Sequence, residues 1–250
     1  MLKNERQERI LELIDEHRYV TAQQLSRLLY VSLPTVRRDL AELQQQGLIL
    51  RNHGGAKKAE EGTVEIPLSF RNSYKQKEKK RLCRAAATLV KDGDTLFIDG
   101  STTLLPMADC LADRRNLTVI TNGIPLAMLL NNRHIRTYCT GGELQEASVA
   151  MAGRYAEELL AYFNVDTVFF SAYGINDRGY IVDTALPEMQ LCCAAIHAAK
   201  QAVFVCDDGK FCRTAPHNIL PLQQLDRLVT NTQPPKALHF PPARLLLTDE

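Results

Sequence analysis

The sequence predicts two domains of α/β class: a small helical module with a hairpin, then a larger domain built on a mainly parallel sheet. Three observations predict it. Apolar residues recur at helical spacing in three short runs between Ile10 and Leu43. Residues 57–72 then turn polar and aperiodic, and Pro67 interrupts the chain there. From Thr95 onward, short β-branched and aromatic runs alternate with helical stretches. The expected boundaries are 1–57 for the first domain, 58–74 for a linker and 75–250 for the second domain.

The chain has 250 residues, enough for two cores. Apolar residues make up 45% and charged residues 24%, ordinary for a globular protein in water. No apolar run reaches transmembrane length, and the charged start from Met1 to Arg9 does not read as a signal peptide, so we expect the cytoplasm and no membrane partner. Seven cysteines, two adjacent and none in a C-x-x-C, do not form a disulfide framework. Cys193 and His197 lie four apart on an expected helix, but no second ligand pair accompanies them. No metal or cofactor is expected. The net charge of +1 hides an asymmetry. Residues 1–58 hold ten Lys and Arg against seven Asp and Glu, and the remainder holds twenty against twenty-two. A basic module on a near-neutral body suits a polyanionic partner.

The first helical run holds Ile10, Leu13 and Ile14. Thr21 opens the second helix, with Gln24 completing a capping-box pattern ahead of Leu25, Leu28 and Leu29. Val31 and Ser32 form the turn, Ser32 caps a third helix, and Pro34 falls in its first turn where no bond is lost. Val36, Leu40 and Leu43 mark that helix's buried face, and Gly47 closes it. This is the helix-turn-helix order. The opposite face carries Pro34, Arg38, Ala41 and Gln45, flanked by Arg37 and Gln44. Arginine can bond guanine through two hydrogen bonds and glutamine can bond adenine. Ser32, Pro34, Thr35, Arg37, Arg38 and Gln45 are therefore candidates for contact with double-stranded DNA. The plain alternative is a solvated face with an Arg38–Glu42 pair. Residues 48–56 end in Gly54-Gly55 and read as a hairpin, a wing whose Arg51, His53 and Lys57 track the DNA backbone.

The stretch Val31-Ser32-Leu33-Pro34-Thr35-Val36-Arg37-Arg38-Asp39-Leu40, followed by Leu43, Gly47 and Arg51-Asn52-His53-Gly54-Gly55-Ala56, resembles the DeoR family of bacterial regulators. Asp39, beside the buried stripe, reads as structural, holding a neighbouring arginine.

In the second domain a basic helix is expected from Lys75 to Val90, its Lys75, Lys77, Lys79, Lys80, Arg81 and Arg84 forming a solvated face, with contact to phosphate as the alternative. Strands are expected at 95–99, 117–121, 135–139, 166–171, 202–206 and 226–229, and helices at 102–111, 124–130, 154–162 and 187–199. Ligands in such sheets bind beyond the carboxyl ends of the strands. Asp99-Gly100-Ser101-Thr102-Thr103, Thr121-Asn122-Gly123, Thr140-Gly141-Gly142 and Asp207-Asp208-Gly209-Lys210 follow four of those ends. Backbone N–H groups, hydroxyls and one ammonium make an anion site there.

The same segments, with Gly153, Asp166, Phe170, Gly174, Glu188 and Lys210-Phe211, resemble the DeoR sensor domain, which is similar in fold to ribose-5-phosphate isomerase. The resemblance implies a repressor of a carbohydrate catabolic operon, relieved by a phosphorylated sugar. It gives Asp99, Gly100, Ser101, Thr102, Thr103, Thr121, Asn122, Gly141, Gly142, Glu188 and Lys210 as effector-binding residues and no catalytic residue. A homo-oligomer assembled through the sensor domain is expected, because one short helix reads only a few base pairs. The alternative is an isomerase-like enzyme with a DNA-binding appendage. Where the resemblance would place that enzyme's paired aspartates, this chain has Ser171-Ala172-Tyr173-Gly174, leaving only Asp177 and Asp183 nearby as substitutes.

Overall fold

The computed structural model describes residues 2–17, 19–45, 48–52, 54–58 and 68–248. The chain divides into two compact units, Met1–Lys75 and Gln76–Glu250.

The first unit runs α1 (Lys3–His17), β1 (Tyr19–Thr21), α2 (Ala22–Leu29), α3 (Leu33–Gln45), β2 (Ile49–Asn52), β3 (Gly55–Lys58) and α4 (Leu68–Ser73). Thr21 caps α2 reciprocally: its hydroxyl accepts from Gln24 N–H at 3.2 Å while Gln24 Oε1 accepts from Thr21 N–H at 2.9 Å. Tyr30, in the left-handed region at φ 55°, ends α2 and turns the chain into α3. Ile10, Leu13 and Ile14 of α1, Leu25 and Leu29 of α2, and Val36, Leu40 and Leu43 of α3 close one core. The expected hairpin is β2–β3, antiparallel with Asn52 opposite Gly55. β1 joins it in the order β1-β3-β2, a strand not expected from the sequence. Gly47, expected to close α3, lies outside the described residues, as do His53 and residues 59–67 of the expected linker. The linker expectation needs correction at its far end, where Leu68–Ser73 is helical.

The second unit runs α5 (Gln76–Ala87), β4 (Thr95–Ile98), α6 (Met107–Cys110), β5 (Thr118–Thr121), α7 (Ile124–Asn131), β6 (Arg136–Cys139), β7 (Glu143–Gln145), β8 (Ala150–Ala152), α8 (Arg154–Leu160), β9 (Val165–Phe170), β10 (Gly174–Ile175), β11 (Tyr180–Asp183), α9 (Leu186–Ala198), β12 (Ala199–Cys206), β13 (His217–Pro221), β14 (Arg227–Thr230) and β15 (Leu245–Leu247). Seven strands form one sheet in the order β15-β14-β12-β9-β4-β5-β6, parallel throughout. Both faces are buried across the central strands, as a parallel sheet requires. Leu96, Ile98, Val119 and Phe169 pack beneath α5, α6 and α7, while Phe97, Ile120, Val168 and Phe170 pack beneath α8 and α9. A small antiparallel sheet, β10-β11-β13, and a β7–β8 hairpin were not anticipated. The helix expected over 102–111 is shortened to α6. Pro106 has no N–H to continue a ladder back to Thr102, and the preceding residues form turns.

No helix among the described residues is long and apolar enough to cross a membrane.

Candidate functional site

The order of the large sheet creates a switch point. From β4 the chain steps outward through β5 to β6, then returns to the other side of β4 with β9 and continues outward to β12, β14 and β15. The crevice beyond β4 and β9 is where such sheets take ligands. Asp99 bridges it. Its backbone N–H donates to Phe169 O at 3.1 Å. Its Oδ1 accepts from Ser101 N–H at 2.9 Å and its Oδ2 from Ser171 N–H at 2.7 Å. Burial of this carboxyl pushes its pKa from 3.8 up to about 6, against the pull of those hydrogen bonds and of the Lys210 charge.

Lys210 stands over the same crevice, on a 3-10 turn after β12 that Asp207 caps through Gly209 N–H. Its ammonium donates to Ser171 Oγ at 2.7 Å, Ala172 O at 2.7 Å and Thr103 Oγ1 at 3.4 Å. Desolvation lowers its pKa, while Asp207, Asp99 and Asp183 hold it up. Ser171 Oγ spends its own hydrogen on Val205 O at 2.6 Å. One turn away, Lys79 of α5 donates to Thr102 Oγ1 at 3.1 Å and is buried. This corrects the expectation of a solvated basic helix: Lys77, Lys80, Arg81 and Arg84 are exposed, but Lys79 is not. The signal was present, since Lys79 shares the i, i+3, i+4, i+7, i+8 stripe of Leu82, Cys83, Ala86 and Ala87.

Gly100 and Gly123 pack backbone to backbone at the ends of β4 and β5. A Cβ on Gly123 would lie 2.4 Å from Gly100 Cα, so neither tolerates a side chain. Asn122 Oδ1 accepts from Gly100 N–H at 2.8 Å, and Thr121 Oγ1 from Gly123 N–H at 3.1 Å. Both side chains therefore build the loop. Gly142, at φ +102°, is needed because a Cβ there would meet Ala152 O at 2.4 Å, whereas Gly141, at φ +68°, faces open space. Glu188, in the first turn of α9, accepts from the Ser148 hydroxyl at 2.7 Å. Asp99, Thr103, Ser171 and Lys210 are thus joined directly, Gly100, Thr121 and Asn122 adjoin them, and Glu188 holds the loop before β8 through Ser148. Asp208 is exposed. Asp166 lies at the opposite end of the sheet, where it receives Thr95 N–H at 2.8 Å and Lys200 Nζ at 2.7 Å and serves structure.

In the first unit, α3 presents Pro34, Arg37, Arg38, Ala41, Gln44 and Gln45 to solvent, with Ser32 exposed before it and Thr35 half-buried. Ser32 Oγ lies 2.8 Å from Thr35 Oγ1 and at the long distance of 3.4 Å from Thr35 N. The Arg38–Glu42 pair does not form. Glu42 receives Lys3 Nζ at 2.6 Å and Gln7 Nε2 at 2.8 Å from α1. Arg37, Arg38 and, on β2, Arg51 make no hydrogen bond or ion pair among the described residues. Asp39 is buried and takes Arg6 of α1 through two bonds, at 2.5 and 3.1 Å. This fixes α3 against α1 and leaves the arginine face outward.

Two family models match this chain: the DeoR-like helix-turn-helix domain over residues 6–61 and the DeoR C terminal sensor domain over residues 74–232. The chain belongs to the DeoR family. It is a DNA-binding transcriptional regulator whose second unit is a sensor domain. Over 91% of its length it is 32% identical to the transcriptional repressor AccR of Agrobacterium fabrum, covering 89% of that protein. Over 94% it is 32% identical to the glycerol-3-phosphate regulon repressor of Escherichia coli, covering 93% of it. Among solved structures, ribose 5-phosphate isomerase A of Methanocaldococcus jannaschii matches 54% of each chain with a TM-score of 0.41 and 17% identity, too slight a likeness to bear on activity. In this DeoR regulator, Asp177 lies on an exposed turn and Asp183, at the end of β11, turns its Oδ1 to Thr184 N–H at 2.7 Å.

Proposed function

We propose that this regulator represses a carbohydrate catabolic operon and releases its double-stranded operator when a phosphorylated sugar binds across the strand ends of the sensor unit. The observation that carries this is the Lys210 ammonium, desolvated at the switch point and shared between Thr103, Ser171 and Ala172. A part-buried cation whose direct hydrogen-bond partners are neutral oxygens suits a ligand that brings further negative charge. Thr102, Thr103, Gly100 and Gly141 line the approach for phosphate, and Asp99, Asn122 and Glu188 suit sugar hydroxyls. On the DNA side, Arg37, Arg38 and Gln45 enter the major groove, with Ser32, Pro34 and Thr35 at the helix start and Arg51 on the wing. Two or more copies, joined through the sensor units, read repeated half-sites. The reading assigns no catalytic role, since residues 171–174 supply no carboxylate to shuttle a proton between carbons.

Calorimetry with a panel of phosphorylated sugars and their unphosphorylated parents tests it. One phosphorylated member should bind at least tenfold tighter than its parent, a difference of about 1.4 kcal/mol or more. Equal affinity for the two defeats the phosphate site, and turnover of a pentose phosphate would establish the enzyme instead.

A further inference from the structure

We infer that Lys79 is a second cation of the effector site, acting through Thr102 to hold the phosphate. This role rests on the strand-end reading and adds a residue from a helix that the reading does not use.

A threonine hydroxyl has one hydrogen to give and can accept as well. Thr102 Oγ1 accepts from Lys79 Nζ at 3.1 Å, and Thr103 Oγ1 accepts from Lys210 Nζ at 3.4 Å. Both threonines are buried, and among the described residues neither hydroxyl donates a hydrogen bond. Each therefore keeps a hydrogen to give, polarised by an ammonium behind it. The Ser101 hydroxyl, buried beside the Asp99 carboxyl, directs its hydrogen to that carboxyl and lowers its pKa. Two consecutive hydroxyls with unspent hydrogens, each backed by a cation, match terminal oxygens of a phosphate monoester. Such an ester is largely dianionic at neutral pH, its second pKa being about 6. Ser171, by contrast, is spent on Val205 O and is not a donor.

Lys79 owes its place to α5. Its position on the apolar stripe carries it inward with Leu82 and Cys83, and the Cys83 thiol, 3.1 Å from Thr103 O, ties the same helix to the same loop.

The test is a titration of the full-length chain with inorganic phosphate, followed by thermal stabilisation. The wild type should be stabilised. Lys79→Met should weaken phosphate binding about tenfold or more, as loss of a charge-assisted bond does. Lys79→Arg should recover much of it, and Lys79→Gln carries the comparison if the methionine variant does not fold. Thr102→Ala should weaken binding too, and adding Lys79→Met to it should cost little more, because the lysine acts through that hydroxyl. A purely structural lysine would lower the melting temperature while leaving phosphate affinity unchanged. Wild-type affinity in folded Lys79→Met, or effects of the two substitutions that multiply independently, would overturn the role of Lys79 alone. A wild type that phosphate does not stabilise would overturn the strand-end reading together with it.

Discussion

Replacing Asp99 by asparagine should change how the sensor unit's stability depends on pH. Folding raises this carboxyl from 3.8 to about 6. A raised carboxyl stabilises the fold most below the unfolded value, and that contribution disappears as pH rises through the folded value. The full difference is about 3 kcal/mol, of which about 2 kcal/mol falls between roughly pH 4.5 and 7.5. Asparagine stays neutral, so the variant lacks this slope. It has a cost of its own: Oδ1 can serve only one of the Ser101 and Ser171 N–H groups, and an orphaned N–H costs about 1–3 kcal/mol. The variant should thus be less stable than the wild type in mild acid and gain on it by about 2 kcal/mol towards neutrality. Groups such as Asp166, which Lys200 holds below the ordinary carboxylate range, act in the opposite sense and cancel in the comparison. Urea unfolding at several pH values, read by hydrogen exchange at Val168–Phe170, measures the difference. A gap between the two proteins that is flat within about 0.5 kcal/mol would refute the desolvated carboxyl.

Asp39→Ala leaves Arg6 without its buried partner and should destabilise the first unit by about 3–5 kcal/mol in urea, against near-neutrality if the pair is only a surface contact. Gly123→Ala must push the β4 and β5 loops apart and should cost about 1–3 kcal/mol or more, measured the same way, with loss of effector affinity; full stability would show that the loops part freely. Arg38→Ala should cost about 1–3 kcal/mol of operator binding and relax specificity, whereas Arg51→Ala should weaken binding to all sequences and reduce the salt slope by about one. Normal operator binding by a folded Arg37/Arg38 double alanine variant would remove α3 from the groove.

The helix-turn-helix unit was legible because each device in it is local: the Thr21–Gln24 cap, the Val36/Leu40/Leu43 stripe and Pro34 in the first turn. β1 was not, since three residues carry too little alternation to stand out, and it exists only by pairing with β3. In the sensor unit the parallel strands showed as apolar runs, and the glycines and hydroxyls at their ends marked the crevice. What escaped depends on contacts distant in sequence. Lys79 read as one charge among many because its stripe was outweighed by Lys77, Lys80 and Arg81 around it. Gly142 read as a ligand-facing turn, while its neighbour is the Ala152 carbonyl. The β10-β11-β13 sheet has strands too short, or too far apart in sequence, for periodicity to find.

Coupling between the crevice and the operator is tested most directly by one measurement. DNA selected in vitro by the full-length regulator is labelled, and its affinity is followed by fluorescence anisotropy as phosphorylated sugars and their parents are added. A coupling of about 1–3 kcal/mol predicts that one phosphorylated sugar weakens operator binding roughly 5–150-fold while its parent at the same concentration does not. Operator affinity unmoved by a sugar phosphate that binds the protein, or moved equally by the unphosphorylated parent, would contradict the coupling.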